Sequence, residues 1–87
     1  MNDHITSATA YNIKSAILGF LRPREGHAAP RGQIVTFLVK NGYPNELASN
    51  CIDMLIYVGV LEANIDSKTN MLIITPDNRN YEGGDHV

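Results

Sequence analysis

Residues that break helices divide this sequence into three helical segments and one hairpin. Pro23 ends the first segment at Arg22, because the residue before a proline avoids helical geometry. Gly42 stops the second segment and Gly59 stops the third, since glycine is the residue most often found just past a helix end. Pro76 then closes the hairpin. The chain is therefore limited to three successive helices followed by two short strands.

Apolar residues recur at helical spacing within each of the three segments. Thr6 or Ser7 can cap the first helix, and Asn45 is the predicted cap of the third. The second helix is predicted over Arg31–Lys40, with Pro30 suited to its first turn. Positions that share one apolar face predict the core. The predicted core consists of Ile13, Ile17, Phe20, Ile34, Leu38, Leu47, Cys51, Leu55, Leu61 and Ile74.

Two β-prone runs follow the third helix, at residues 60–65 and 71–75, with a polar five-residue loop between them. Residues 24–29, between the first two helices, form a loop with room for a very short strand. A chain of 87 residues is long enough for one small core and too short for two. The predicted division is a flexible N-terminus (1–5), a single domain (6–76) and a flexible C-terminal tail (77–87).

Charge is distributed unevenly along the chain. The net charge is −2, but residues 1–44 carry +3 and residues 45–87 carry −5. The basic half is therefore the side expected to meet a polyanion. The pI of about 5.8 is nevertheless far from the basic footprint of an isolated nucleic-acid-binding domain.

The third helix has a polar stripe along one side. At 100° per residue, its other side carries apolar residues, with Val58 as the last of them. The stripe contains two carboxylates and no Lys or Arg. Its members are Glu46, Ser49, Asn50, Asp53 and Tyr57.

Three segments of the sequence share their pattern with a known superfamily. They are the turn Asn41-Gly42-Tyr43-Pro44, the exit of the third helix into the hairpin at residues 55–62, and the closing Ile73-Ile74-Thr75-Pro76. With the order of the elements, they make residues 6–76 resemble the winged helix-turn-helix superfamily. The resemblance implies a mainly α fold, with three helices and a small β-hairpin as a two- or three-stranded wing.

The resemblance also implies binding to double-stranded DNA, usually in transcription regulation. The third helix would contact base edges and the wing would contact phosphate or the minor groove. In this sequence Lys68 would lie in the wing, and the positions that face the bases would be Glu46, Ser49, Asn50, Asp53 and Tyr57. Phosphate contacts would come from the basic half, through Arg22, Arg24, Arg31 and Lys40.

The polar stripe has three possible explanations from the sequence. It is a solvated helix face, a DNA-recognition surface or a surface for a protein partner. Glu46 and Asp53 favour a protein partner with basic residues, and Tyr57 beside them is typical of an interface anchor.

A second stripe is predicted on the first helix. Tyr11 and Leu18 are seven residues apart and nearly in line, outside the apolar face of that helix. They are either ordinary partly exposed residues or a self-association surface that would make a homodimer.

Neither catalysis nor a bound cofactor is supported by the sequence. His4, His27 and His86 are scattered, and no Cys/His pair has metal-ligand spacing. Cys51 faces the predicted core, where a thiol acts as a small hydrophobe. No apolar run approaches the roughly 20 residues of a membrane-spanning helix, and the first residues lack the basic-then-apolar pattern expected of a secretory signal. One cysteine cannot form an internal disulfide. We therefore expect a cytoplasmic protein with no enzymatic activity, cofactor or metal.

Together these features predict a small winged-helix regulator that binds DNA as a dimer, from a prokaryote or phage. The alternative is an adaptor or inhibitor that presents the acidic third-helix face to a basic protein surface.

Overall fold

The computed structural model describes residues 7–64, 68 and 70–78, and in that part of the chain it has three α helices and a three-stranded antiparallel sheet. The predicted order of three helices and a hairpin is confirmed, and the short strand that the sequence allowed before the second helix is present. The predicted N-terminus and most of the predicted tail lie outside the described residues. The elements are α1 (Ser7–Leu21), β1 (Ala28–Pro30), α2 (Arg31–Lys40), α3 (Asn45–Tyr57), β2 (Leu61–Ala63) and β3 (Met71–Ile74), with single 3₁₀ turns at Glu25–His27 and Pro76–Asn78.

The helix ends follow from the local chemistry of the chain. Gly42 has φ +99°, and just after it the backbone N–H of Tyr43 donates to the carbonyl of Leu38 at 3.1 Å. Gly59 has φ +88°, and the N–H of Val60 donates to the carbonyl of Leu55 at 2.9 Å. Both ends are the left-handed helix terminus that glycine favours, in which a bond five residues back satisfies a free carbonyl.

The predicted cap of α3 is wrong by one residue. Pro44, not Asn45, is the N-cap, and no side chain caps this helix end. Pro44 has extended geometry (φ −59°, ψ 147°), and its carbonyl accepts the N–H of Ala48 at 2.9 Å. Because the proline ring presets this φ and Pro44 supplies the first helical carbonyl, Asn45 becomes the first residue of the helix.

The sheet connects the start of α2 to the hairpin. The strand order is β1-β3-β2, so the central β3 pairs on both sides, with Leu72 opposite Ala29 on β1 and Ala63 on β2. The backbone N–H of Arg31 donates to the carbonyl of Asn70 at 3.0 Å. This bond fixes the first residue of α2 beside the hairpin.

One hydrophobic core lies between the three helices and the sheet. Eight of the ten predicted core residues are buried, whereas Phe20 and Leu47 are half-buried at its margin. The buried residues are Ile13, Ile17, Leu18, Leu21, Ala29, Ile34, Leu38, Ala48, Cys51, Ile52, Leu55, Val60, Leu61, Leu72 and Ile74.

The predicted self-association stripe on α1 is contradicted by the burial of Leu18. Its side chain is only 1% exposed, whereas Tyr11 is 47% exposed. Because α1 contacts α2, α3 and β3, its buried face is wider than the sequence periodicity indicates, and it includes Leu18. The homodimer expectation therefore loses the surface on which it rested.

Candidate functional site

The polar stripe of α3 faces solvent as predicted. Glu46, Asn50, Asp53 and Tyr57 are exposed, and Ser49 is half-buried. The opposite side of the helix is buried in the core. The face is thus fixed in orientation by the packing of the helix that carries it.

Arg31 supplies this face with a positive charge from another helix. Its Nη1 lies 3.0 Å from Oδ1 of Asp53, and its Nη2 donates to Oγ of Ser49 at 2.9 Å and to the Ser49 carbonyl at 3.3 Å. Arg31 is the first residue of α2, and its side chain is 27% exposed. The α3 face therefore has one carboxylate paired with a fixed guanidinium, and Glu46 as its second acid.

Arg31, which the sequence places among the predicted phosphate contacts, is held against α3 in the structure. Three of its contacts go to α3, and they also engage Ser49, which the resemblance assigned to base contacts. Residues 31 and 49 are 18 positions apart, so no local pattern in the sequence predicts the pair.

Two of the other predicted phosphate contacts, Arg24 and Lys40, lie on the groove between α1 and α2. Arg22 is half-buried, with its carbonyl 3.0 Å from Nδ1 of His27. Arg24 and Lys40 both line hollows between α1 and α2, on the side of α2 that faces α1. Lys68 is exposed in the turn between β2 and β3.

The C-terminal end of α3 exposes apolar surface. Tyr57 is 90% exposed and Val58 is 60% exposed. The placement of Val58 on the buried side is wrong, because Val58 is the C-cap, one residue past the last residue of the helix, and its side chain is not part of the core.

A groove between α1 and α2 was missed by the sequence analysis. The rings of Phe20 and Phe37 are stacked, with centroids 4.5 Å apart and 22° between their planes. They line two adjoining open hollows of about 370 and 580 Å³, whose walls are mainly apolar. The sequence places Phe20 in the core but cannot show that its ring meets that of Phe37 at the edge of the core. The exposed helical glycines Gly19 and Gly32 beside them are a signal that was overlooked.

In the described part of the chain, no group of three or more His, Cys, Asp or Glu residues is placed to hold a metal ion. Burial raises the pKa of the Cys51 thiol, which keeps it protonated and a poor nucleophile at neutral pH. Among the described residues, no helix combines the length and the apolar character needed to cross a membrane.

Comparison with known proteins gives no match. No family model, curated protein or solved structure is significantly similar to this chain.

Proposed function

We propose that this chain is a winged-helix DNA-binding regulator that presents α3 to the major groove. The observation that carries the proposal is the placement of Arg31, because it puts a fixed guanidinium on a helix face whose own charged residues are acidic. The order of elements supports it as well, since α2 and α3 are joined by a four-residue turn and followed by a hairpin.

The chemistry of the face suits contacts to bases and phosphates. Asn50 is exposed, and an asparagine amide can pair with the N6 and N7 atoms of adenine. Arg31 uses only part of its five N–H donors in its contacts to Ser49 and Asp53. Lys68 adds a cation in the turn where a wing contacts phosphate.

The test is a charge reversal at Glu46 with a matched control elsewhere. Glu46 is exposed in the first turn of α3, and Glu25 is exposed in the connection between α1 and β1. Glu46→Lys and Glu25→Lys change the net charge equally. On a DNA-binding face, Glu46→Lys brings a new cation to the phosphates, so non-specific duplex binds more tightly and the log–log salt slope steepens by up to about one unit.

Fluorescence anisotropy with labelled duplex fragments at several salt concentrations measures both quantities. Glu25→Lys should leave the slope unchanged. Equal effects of the two reversals would show that binding depends only on the net charge of the protein and not on the α3 face. If the unchanged protein binds no duplex at low salt, the proposal is wrong. Circular dichroism checks folding, because a cation in the first turn of a helix costs about 0.3–1 kcal/mol.

Recognition of a protein partner by the same helix is the second candidate. The exposed Tyr57 and Val58 favour it, because large apolar side chains beside charges form the centres of interfaces. At such an interface, Glu46→Lys weakens binding to a basic partner protein, whereas on a DNA-binding face it strengthens binding to duplex. The direction of the Glu46→Lys effect therefore separates the two functions.

A further inference from the structure

The groove between α1 and α2 is a surface separate from the α3 face. Arg31 points from α2 to α3, whereas Phe37 stacks on Phe20 of α1. Residues 33, 37 and 40 follow one another at helical spacing along the same flank of α2. The groove therefore lies on a different flank of α2 from the contact with α3.

The groove is open because two of its wall positions lack side chains. Gly19 on α1 and Gly32 on α2 are exposed, and a Cβ at either position would meet no atom within 4 Å. Each glycine borders one of the two hollows, and Phe20 and Phe37 border both. Two apolar side chains of one partner segment can therefore lie on either side of the ring pair.

The charges at the groove are of one sign. Arg24 and Lys40 line the hollows, and no Asp or Glu is among the lining residues. In the part of the chain that the structure describes, neither cation forms an ion pair, in contrast to Arg31. The groove therefore matches a negatively charged occupant.

Arg24 is held in place before any partner binds. Its Cζ lies 4.8 Å from the centre of the Phe20 ring, and its Nη2 donates to Oε1 of Gln33 at 2.8 Å. This single hydrogen bond uses one of the five N–H donors of the guanidinium, and the others are available to a partner. A pre-positioned guanidinium suits bidentate binding of a carboxylate at a reduced entropic cost.

We propose that this groove docks an acidic, apolar segment of a partner protein. Carboxylates of the segment pair with Arg24 and Lys40, and its apolar side chains fill the hollows beside Phe20 and Phe37. A small molecule fits less well, because sites for small ligands enclose most of the ligand surface, and these hollows are open.

The test uses three synthetic helical peptides of about 14 residues as probes. The first has two leucines one turn apart with flanking glutamates, the second has lysines for the glutamates, and the third has serines for the leucines. Binding is followed by ¹H–¹⁵N NMR of the intact chain at up to millimolar peptide. The acidic apolar peptide should shift the amides of Gly19, Gly32, Thr36 and Lys40, and the other two should not.

Matched variants of α2 locate the site. Gly32→Leu fills one hollow and should weaken binding of the acidic peptide at least tenfold, whereas Gly32→Ala adds one methyl and should change it little. Lys40→Glu should weaken it as well, by reversing a rim charge.

Three results of the peptide titrations would overturn the proposal. They are equal binding of the acidic and lysine peptides, shifts confined to α3, and no shifts at millimolar acidic peptide. Concentration-dependent shifts at the groove without peptide would also overturn it, because they would show that a second copy of the chain is the occupant. All of these measurements can be made whether or not the chain binds DNA, so failure of one proposal is distinguishable from failure of the other.

Discussion

Arg31 and Asp53 join the basic half of the chain to the acidic half. Their ion pair lies at the surface, with the Arg31 side chain 27% exposed and the Asp53 side chain 64% exposed. Solvent therefore screens it strongly, and its contribution to stability is small. Its larger effect is to fix where the positive charge of α2 lies relative to α3.

A double-mutant cycle with Arg31→Met and Asp53→Asn measures this pair. We expect a coupling of about 0.2–1 kcal/mol in the free energy of unfolding at low salt, the usual range for exposed pairs. The coupling should fall toward zero in 1 M salt, where the Debye length is about 3 Å. Urea titrations of the four proteins at both salt concentrations give the result. A coupling of zero at low salt would mean that the pair does not persist in solution.

At the scale of elements, the sequence predicts those features that depend on residues close together in the chain. The ends of α1 and α2 and the left-handed residue after α3 follow from Pro23, Gly42 and Gly59, and the structure confirms them. What depends on neighbours distant in sequence could not be predicted. Leu18 is buried because three elements pack around α1, and the Phe20–Phe37 stack forms only when α1 and α2 meet. The exposed side of α3 was predictable because its polar stripe is local, whereas its contact with Arg31 was not.

Two glycines in different conformations test the chemistry of the helix ends. Gly59 has φ +88°, so Gly59→Ala should lower the free energy of unfolding by about 1–2 kcal/mol through backbone strain. Gly19 lies within α1, and an added Cβ would meet no atom within 4 Å, so Gly19→Ala should raise it by up to about 1 kcal/mol. Urea denaturation gives both values. If Gly59→Ala did not lower the free energy of unfolding, the left-handed end of α3 would not be formed as described.

At the scale of the whole molecule, α2 lies between the two candidate surfaces. Its first residue, Arg31, contacts α3, and Phe37 on its opposite flank forms the groove with α1. The core side of α2 is fixed by Ile34 and Leu38, both fully buried. A helix packed in this way holds the two surfaces in a constant relative position. A partner at one surface therefore need not displace a partner at the other.

We therefore predict that the two surfaces bind their partners independently, a prediction that rests on both proposals. Glu46→Lys should tighten duplex binding by the same factor with and without Gly32→Leu, because distant sites with no shared partners add within about 0.3–0.5 kcal/mol. Likewise, the duplex affinity of the unchanged protein should be the same, within about twofold, when the groove is saturated with the acidic apolar peptide. Anisotropy titrations of labelled duplex at constant ionic strength give both comparisons, and the serine-substituted peptide is the control for added charge. Displacement of duplex by the acidic peptide but not by its control would show that the surfaces overlap, or that binding at the groove moves α2 and with it the guanidinium of Arg31.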